Sequence, residues 1–350
     1  MLNLKIERSP APAWVRPLIP IAAVLVTFVI TLIFISWVQA DPIQTYYYFL
    51  IAPFTSTVST IELLVKATPL FLTGAAVAFA FTAGYYNIGA EGQLTAGAVM
   101  GAWLGVLLKG STPLVSLPVM LVGGFIGGAL WALIPALLKV RLKVDEVVTT
   151  LLMNSVIFFL VGYLLNGPWR DPVSMWPQSP EIDPSAMFIR IIPRFRLHLG
   201  FILGIVTLLI LAFVIYRTAL GLKMRAVGKG IEASRFAGVD VDRTLLTAAL
   251  VSGGIAGLAG VGEVAGMHFH MIEGLSANLG YTGIIVATLG GLNPFGVGIA
   301  AMFIGLIDTG AMTVSRQLGV PVYLGNVVEA ALLLVTLSMF ILMNYRIKRV

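Results

Sequence analysis

Long stretches without a single charged side chain recur along almost the whole sequence. They lie at residues 18–38, 67–90, 92–108, 110–138, 147–169, 197–216, 244–262, 274–307 and 330–345. An α-helix needs about 20 mainly apolar residues to cross the hydrocarbon layer of a bilayer, and most of these stretches come close to that length. Only 11% of the residues are charged, against about 25% in soluble domains. The sequence therefore predicts an all-α polytopic membrane protein.

Clusters of Lys and Arg predict how the chain is oriented in the membrane. They lie at 139–143, 217–243 and 346–349, and cytoplasmic loops carry an excess of these residues. With residues 1–17 also cytoplasmic, we expect both termini in the cytoplasm and the 166–197 loop outside, within a single transmembrane domain at 1–350. About ten crossings result, near 18–38, 63–82, 88–108, 116–138, 147–165, 198–216, 244–262, 278–290, 294–312 and 323–345.

Two stretches complicate this count. GGLNPFG at 290–296 interrupts an apolar stretch, which predicts broken or re-entrant segments and leaves the number of full crossings within 263–322 open. Val38-Gln39-Ala40 resembles a signal-peptidase site. The apolar run before it is longer than the roughly 7–15 residues of a signal peptide, so we interpret it as a retained first helix.

The sequence motifs of common enzymes are missing. No G-x-x-x-x-G-K-[ST] loop is present to bind ATP phosphates, and no H-E-x-x-H metal motif occurs. There are no cysteines and three histidines. His268 and His270 are poorly spaced for a metal pair, and we interpret them as polar residues near the membrane surface. We therefore expect no catalytic residue, no bound metal and no nucleic-acid partner.

The cytoplasmic segment 217–243 is longer than the usual connection between packed helices. Glu232-Ala233-Ser234 begins a predicted short helix, which Gly238 can end in a left-handed conformation. Asp240 and Asp242 are placed to cap the next helix. The segment is either a solvated loop or a docking site for another protein, and its own capped helix favours docking.

Several motifs carry a resemblance to a known family. The E-A-S-x-x-x-G spacing from Glu232 to Gly238 resembles the coupling loop of ABC importer permeases. NIGAEGQ, MRAVGKGIEASRFAGVDV, SGGIAGLAGVGEV and TGIIVATLGGLNPFGVGIAA are together similar to the branched-chain amino acid/ribose-type permease superfamily. Within it they most resemble the nucleoside and simple-sugar permeases that work with Bmp-type binding lipoproteins. Lys229 makes this loop more basic than in relatives.

The resemblance implies a permease subunit of an ATP-driven importer in the cell membrane, where lipid surrounds it. Its partners would be a second permease chain, separate ABC ATPase subunits that hold ATP and Mg²⁺, and an external binding lipoprotein. This chain itself would bind no cofactor. The cargo would be a nucleoside or a simple sugar. The residues implied in coupling to the ATPase are Arg225, Glu232, Ala233, Phe236 and Gly238.

Glu91 lies between two uncharged stretches, where an ionisable side chain is costly and marks a functional site by default. It can cap the start of the third crossing together with Asn87, or line the translocation pathway, and capping is favoured. The pathway residues predicted here are Phe81, Tyr85, Asn87, Glu91 and Gln93. Glu62 and Lys66, four residues apart, are expected to form a helical ion pair.

Two other function classes stay open on the sequence. A proton- or sodium-coupled secondary transporter would need an essential carboxylate in the membrane, for which Glu91 or Glu329 is available. A channel or passive scaffold is the third possibility. Dependence of uptake on ATP separates the importer from both.

Overall fold

The computed structural model describes residues 4–8 and 18–349, and most of these residues are α-helical. Two short 3-10 turns, Ala52–Phe54 and Pro184–Ala186, lie between helices. In chain order the α-helices are α1 (Leu18–Trp37), α2 (Pro42–Leu50), α3 (Thr57–Thr82), α4 (Ala90–Leu107), α5 (Pro113–Leu142), α6 (Glu146–Asn166), α7 (Gly200–Arg217), α8 (Ala219–Lys229), α9 (Ile231–Phe236), α10 (Val241–Glu263), α11 (Leu279–Leu289), α12 (Pro294–Leu318) and α13 (Leu324–Asn344).

Local sequence explains where several of these helices begin. The side chains of Asp145, Asp240 and Asn293 accept hydrogen bonds from backbone N–H groups in the first turns of α6, α10 and α12. A capping side chain satisfies donors that have no partner within the helix. The capping role predicted for Asp240 is confirmed, and α10 begins directly after it, at Val241 rather than at the predicted 244.

A helix occupies each of the predicted crossing segments. Among the described residues, six helices are long and apolar enough to cross a membrane. They are Thr57–Thr82, Pro113–Leu142, Glu146–Asn166, Gly200–Arg217, Val241–His268 and Pro294–Leu318. The chain is therefore a polytopic membrane protein, while the count of about ten crossings stays a prediction.

A two-stranded antiparallel sheet departs from the all-helical expectation. β1 (Leu4–Arg8) pairs with β2 (Tyr345–Arg349), Leu4 lying opposite Arg349. Both strands flank the first and last helices and contain alternating charged and apolar residues, a pattern that suits a strand pair. The rest of residues 1–17 lies outside the described residues.

Small residues determine how the central helices pack. α10 packs against α4 and α5, and the backbone of Gly257 lies directly against that of Gly124 and Gly128. A Cβ atom at Gly257 would overlap the Gly124 carbonyl oxygen. Small side chains let helix backbones approach closely in membranes. The glycines of these helices therefore serve close packing.

Residues 167–199, the cap segment, pack over one end of the bundle. The backbone N–H of Asp183 donates to the Gly105 carbonyl at the end of α4 (3.1 Å), and that of Phe188 donates to Ala265 (2.8 Å). Ser179 N–H likewise donates to the Met271 carbonyl (2.9 Å). These bonds hold the cap segment in an ordered conformation.

The chain after α10 is broken within the bundle. A π-helical turn, Val264–His268, extends α10, and residues 269–278 are largely non-helical before α11 begins. Gly274, Ala277 and Asn278 all have positive φ. α11 has only 11 residues and is followed by a tight turn into α12. The predicted interruption is confirmed, and it extends to the chain before α11.

Candidate functional site

The chain between α3 and α4 passes through protein rather than solvent. Tyr86 N–H donates to the carboxylate of Glu146 (3.4 Å), and Ile88 N–H donates to the hydroxyl of Thr150 (3.2 Å). The Asn154 amide donates to the Ile88 carbonyl (3.0 Å). Non-helical backbone at membrane depth needs such partners, and α6 supplies them here.

Asn87 and Gln93 are buried and bind each other. The Asn87 amide donates to Gln93 Oε1 (2.7 Å) and to the Ser252 hydroxyl (2.9 Å), while Gln93 Nε2 donates to Asn87 Oδ1 (3.0 Å). Asn87 Oδ1 also accepts from Gly89 N–H (2.9 Å). These amides therefore satisfy one another and stabilise the entry into α4.

The predicted aromatic pathway residues lie in different environments. Tyr85 is almost completely buried in the core. Phe81 is half-buried and packs edge-to-face on the half-exposed ring of Tyr86, with 5.2 Å between centroids. Tyr85 and Phe81 therefore do not share one solvent-facing surface.

Glu91 caps a helix, but not the one expected. It stands in the first turn of α4, and its carboxylate accepts hydrogen bonds from Asn278 N–H (3.1 Å) and Gly280 N–H (2.7 Å) at the start of α11. The first N–H groups of a helix lack internal partners and carry partial positive charge. A carboxylate is therefore well matched to this position. Glu91 joins α4 to residues 264–278, which we call the broken segment.

A cavity of about 340 Å³ lies beside Glu91, which we call the Glu91 cavity. Of the five predicted pathway residues, only Glu91 lines it. The other lining residues were not predicted from the sequence. Asn154 and Ser155 could have been, because they are polar residues in the middle of a mostly apolar helix. Polar and aromatic side chains share the wall, among them Thr95, Asn154, Ser155, Phe158, Phe159, Asn278 and Tyr281.

The second candidate site is the segment 217–243, which we call the coupling segment. α9 is present at Ile231–Phe236, and Gly238 has φ +80°, as predicted for a left-handed helix end. Val239 N–H donates back to the Ser234 carbonyl (2.9 Å), which closes the turn. Nothing lies within 4 Å of a Cβ atom built at Gly238, so only its backbone conformation restricts the residue there.

The outward face of α9 combines apolar and charged side chains. Phe236 is 96% exposed and Ile231 is also exposed, while Ala233 and Glu232 are exposed between them. Glu232 pairs with Arg235 on the same helix (3.1 Å). Apolar and charged side chains therefore share the exposed face of α9.

Arg225 lies apart from that face. Its guanidinium stacks on the Tyr216 ring, 5.7 Å from the centroid, and its Nε donates to the Gly221 carbonyl (3.3 Å). Arg225 therefore fastens α8 to the end of α7.

α8 also contacts the entry to α4. The backbone of Gly228 lies directly against the Thr82 carbonyl, and a Cβ atom at Gly84 would lie 3.3 Å from Gly228 Cα. Gly84 has φ +75°. The two glycines let α8 and the 82–84 turn touch through their backbones, so the coupling segment is in contact with the chain that leads to Glu91.

Other predicted polar residues have different partners from those expected. Glu62 forms its ion pair with Arg196 of the cap segment, so the predicted pairing with Lys66 is wrong. His268 lies 3.6 Å from the Glu263 carboxylate, and His270 Nδ1 lies 3.0 Å from the Ser179 carbonyl oxygen. Within the described residues no group of three or more potential ligands could hold a metal ion.

Comparisons with known proteins agree with this architecture. The family model described as branched-chain amino acid transport system / permease component matches residues 59–337. The glucose ABC transporter permease protein TsgB13 of Haloferax volcanii is 31% identical over 99% of this chain and 94% of its own length. No solved structure gives a significant match.

Two bacterial relatives match to a similar extent. The guanosine ABC transporter permease protein NupP of Bacillus subtilis is 35% identical over 80% of this chain and 81% of its own length. The nucleoside ABC transporter permease protein NupB of Lactococcus lactis is 30% identical over 93% and 92%. This chain therefore belongs to the branched-chain amino acid transport system permease family, and it is a membrane transport component rather than an enzyme.

Proposed function

We propose that the chain is the permease subunit of an ATP-driven ABC importer that carries a nucleoside or a sugar. The relatives named above are ABC permeases for glucose, guanosine and nucleosides. The observation that carries the proposal is the exposed α9 helix, whose neighbour α8 touches the chain leading to the Glu91 cavity. A docking surface is thereby joined to a polar cavity inside the bundle.

The mechanical route runs through backbone contacts. An ATPase subunit binds the outward face of α9, with Phe236 as the apolar anchor and Glu232, Ala233 and Gly238 shaping the helix. Movement of α9 passes to the neighbouring helix α8. Arg225 of α8 packs on Tyr216 of α7 and so keeps α8 in contact with the bundle. Gly228 then transmits it to Thr82 and the entry to α4.

The cargo passes beside Glu91. Its carboxylate fixes the start of α11 through two backbone hydrogen bonds, so displacement of α4 loosens the broken segment at the cavity. Amide, hydroxyl and aromatic side chains there suit a neutral polar solute. Binding pockets of this kind combine apolar walls with a few polar groups.

The other components of the proposed importer are separate protein chains. ATP and Mg²⁺ are held by separate ATPase subunits, a second permease chain completes the pathway, and an external lipoprotein delivers the cargo. We propose about ten crossings of the cell membrane, with the cap segment outside and both termini in the cytoplasm. Antiparallel pairing of β1 with β2 supports placing the two termini on one side.

Phe236→Ala tests the docking surface. The variant is expected to insert normally but to lose most ATPase co-purification and ATP-driven uptake, because exposed aromatic anchors dominate contact energies. Val173→Ala, which truncates a 90% exposed side chain in the cap segment, is the control and should behave as wild type. Full ATPase binding by Phe236→Ala would refute the assignment of α9 as the docking helix.

A further inference from the structure

A second cavity, of about 410 Å³, lies on the other side of the broken segment. It is formed by α3, α12, the start of α13 and the chain that leads into α11. Leu275 and Ala277 line both this cavity and the Glu91 cavity. The two cavities are therefore separated by a single segment of non-helical chain. We call it the charged cavity.

The charged cavity reaches deep into the bundle. Lys66 lies nine residues inside α3 and Asp308 ten residues before the end of α12. At 1.5 Å per residue both positions are about 14 Å from the helix ends nearest the cap segment. Because α3 and α12 are both long and apolar enough to cross a membrane, the two side chains lie well inside these helices rather than at their ends.

Acidic and basic side chains both line this cavity. The acidic residues are Glu62, Glu263 and Asp308, and the basic residues are Lys66, Arg196 and His268. Glu62 pairs with Arg196, and His268 lies 3.6 Å from Glu263. Ion pairs within the described residues include neither Lys66 nor Asp308. Glu329 on α13 interacts with Asp308 and Lys66, and it accepts a hydrogen bond from Thr282 (3.3 Å).

This lining selects the chemistry of a ligand. Ionisable side chains at membrane depth are expensive and mark solute or ion pathways. Because carboxylates and cations are both present, the hydroxyl groups of a neutral solute can donate to carboxylates while accepting from ammonium and guanidinium groups. The described lining holds no Phe, Tyr or Trp, whereas the Glu91 cavity has Phe158, Phe159 and Tyr281.

We propose that the charged cavity is a binding site for a neutral polyhydroxylated group, either a sugar or the ribosyl part of a nucleoside, with Lys66 and Asp308 as its main hydrogen-bonding residues. The proposal rests on the proposed import function, because the charged cavity would be one of the sites that the imported solute occupies on its way through the protein. The solute would move from here to the Glu91 cavity when residues 274–278 shift.

Protection of a single cysteine tests occupancy directly. The chain has no native cysteine, so Asn326→Cys in the cavity wall and Val173→Cys in the cap segment each give one thiol for N-ethylmaleimide. The complete transporter is used, with guanosine and glucose as probes. One of them should strongly slow labelling of Asn326→Cys and leave that of Val173→Cys unchanged. Undiminished labelling with both probes would overturn the proposal.

Substitutions then test the two named side chains. Lys66→Met and Asp308→Asn should abolish the protection and lower uptake by about tenfold, as expected for loss of a charged hydrogen bond, whereas Lys66→Arg should retain most of both. Persistence of protection in both neutral variants would also overturn the proposal. Labelling and uptake are measured separately. Uptake by the wild-type protein in the absence of ATP would refute the proposed import function, whereas the labelling experiment would still decide whether the solute binds in the charged cavity.

Discussion

Glu91 is the residue at which α4 and the broken segment meet. Its two backbone hydrogen bonds, from Asn278 and Gly280, occupy donors that α11 cannot satisfy itself. The same carboxylate lines the Glu91 cavity, so its place in the translocation pathway stays a prediction beside the observed capping of α11. The partner helix could not be predicted from sequence, because α11 lies far from Glu91 along the chain.

Substitution of Glu91 separates its shape from its charge. Glu91→Gln keeps an acceptor oxygen and should reduce transport only modestly, since helix-dipole interactions are typically about 0.3–1 kcal/mol. Glu91→Ala leaves the start of α11 without its acceptor and should destabilise the protein by about 1–3 kcal/mol. Uptake and thermal unfolding measure the two effects.

Glu181→Gln, at an exposed glutamate of the cap segment, is the matched control and should leave both uptake and unfolding unchanged. Complete loss of transport by a normally assembled Glu91→Gln protein would contradict the capping role. That result would favour an obligatory charge at this position and a proton-coupled mechanism.

Asp171 makes the cap segment sensitive to acid. The hydroxyl of Ser174 and then the backbone N–H of Val173 donate to its carboxylate and lower the pKa from 3.8 to about 2. A lowered pKa stabilises the folded turn above the unfolded value, and this stabilisation is lost as pH falls through the folded value. In a variant whose other five tryptophans are replaced by phenylalanine, Trp176 fluorescence should therefore stay constant down to pH about 4 and change between about 4 and 2. In Asp171→Asn, which cannot titrate, that change should be absent; an identical transition in the variant would contradict this origin.

Contact between α8 and the 82–84 turn is the proposed element-scale link from the coupling segment to the Glu91 cavity. A side chain at Gly228 would overlap the Thr82 carbonyl, so Gly228→Val should push the two elements apart. We expect normal ATPase binding but less solute moved per ATP hydrolysed, measured in proteoliposomes. Gly228→Ala should show the same defect in weaker form.

Gly230→Ala is the matched control for that link. A Cβ atom at Gly230 meets only Ala233 Cβ, at 3.8 Å, which is ordinary contact, so coupling should be unchanged. Wild-type coupling in Gly228→Val would show that movement does not pass through this contact.

The helices were more predictable from sequence than their partners. Uncharged runs and capping residues such as Asp145 and Asp240 act locally, so each predicted crossing coincides with a helix. The Glu62–Arg196 pair and the wall of the Glu91 cavity depend on tertiary packing. Asn87 and Gln93, two of the polar residues predicted in the pathway, do not line that cavity, because they are buried and bind each other.

At the scale of the whole molecule, the proposed mechanism connects three parts of the helical bundle. The coupling segment is expected to bind the ATPase, the 82–84 turn to pass the movement on, and the broken segment to control passage between the two cavities. No sequence motif for ATP binding occurs in the chain, and the proposed energy source is a separate ATPase chain.

Uptake into proteoliposomes tests the central claim most directly. The permease is reconstituted with its ATPase, second permease chain and binding protein, and radiolabelled guanosine and glucose are offered with or without ATP and with a protonophore or a sodium ionophore. The account predicts uphill uptake of one solute that requires ATP and the ATPase chain and persists with either ionophore. Uptake driven by a proton or sodium gradient in the absence of ATP would contradict it.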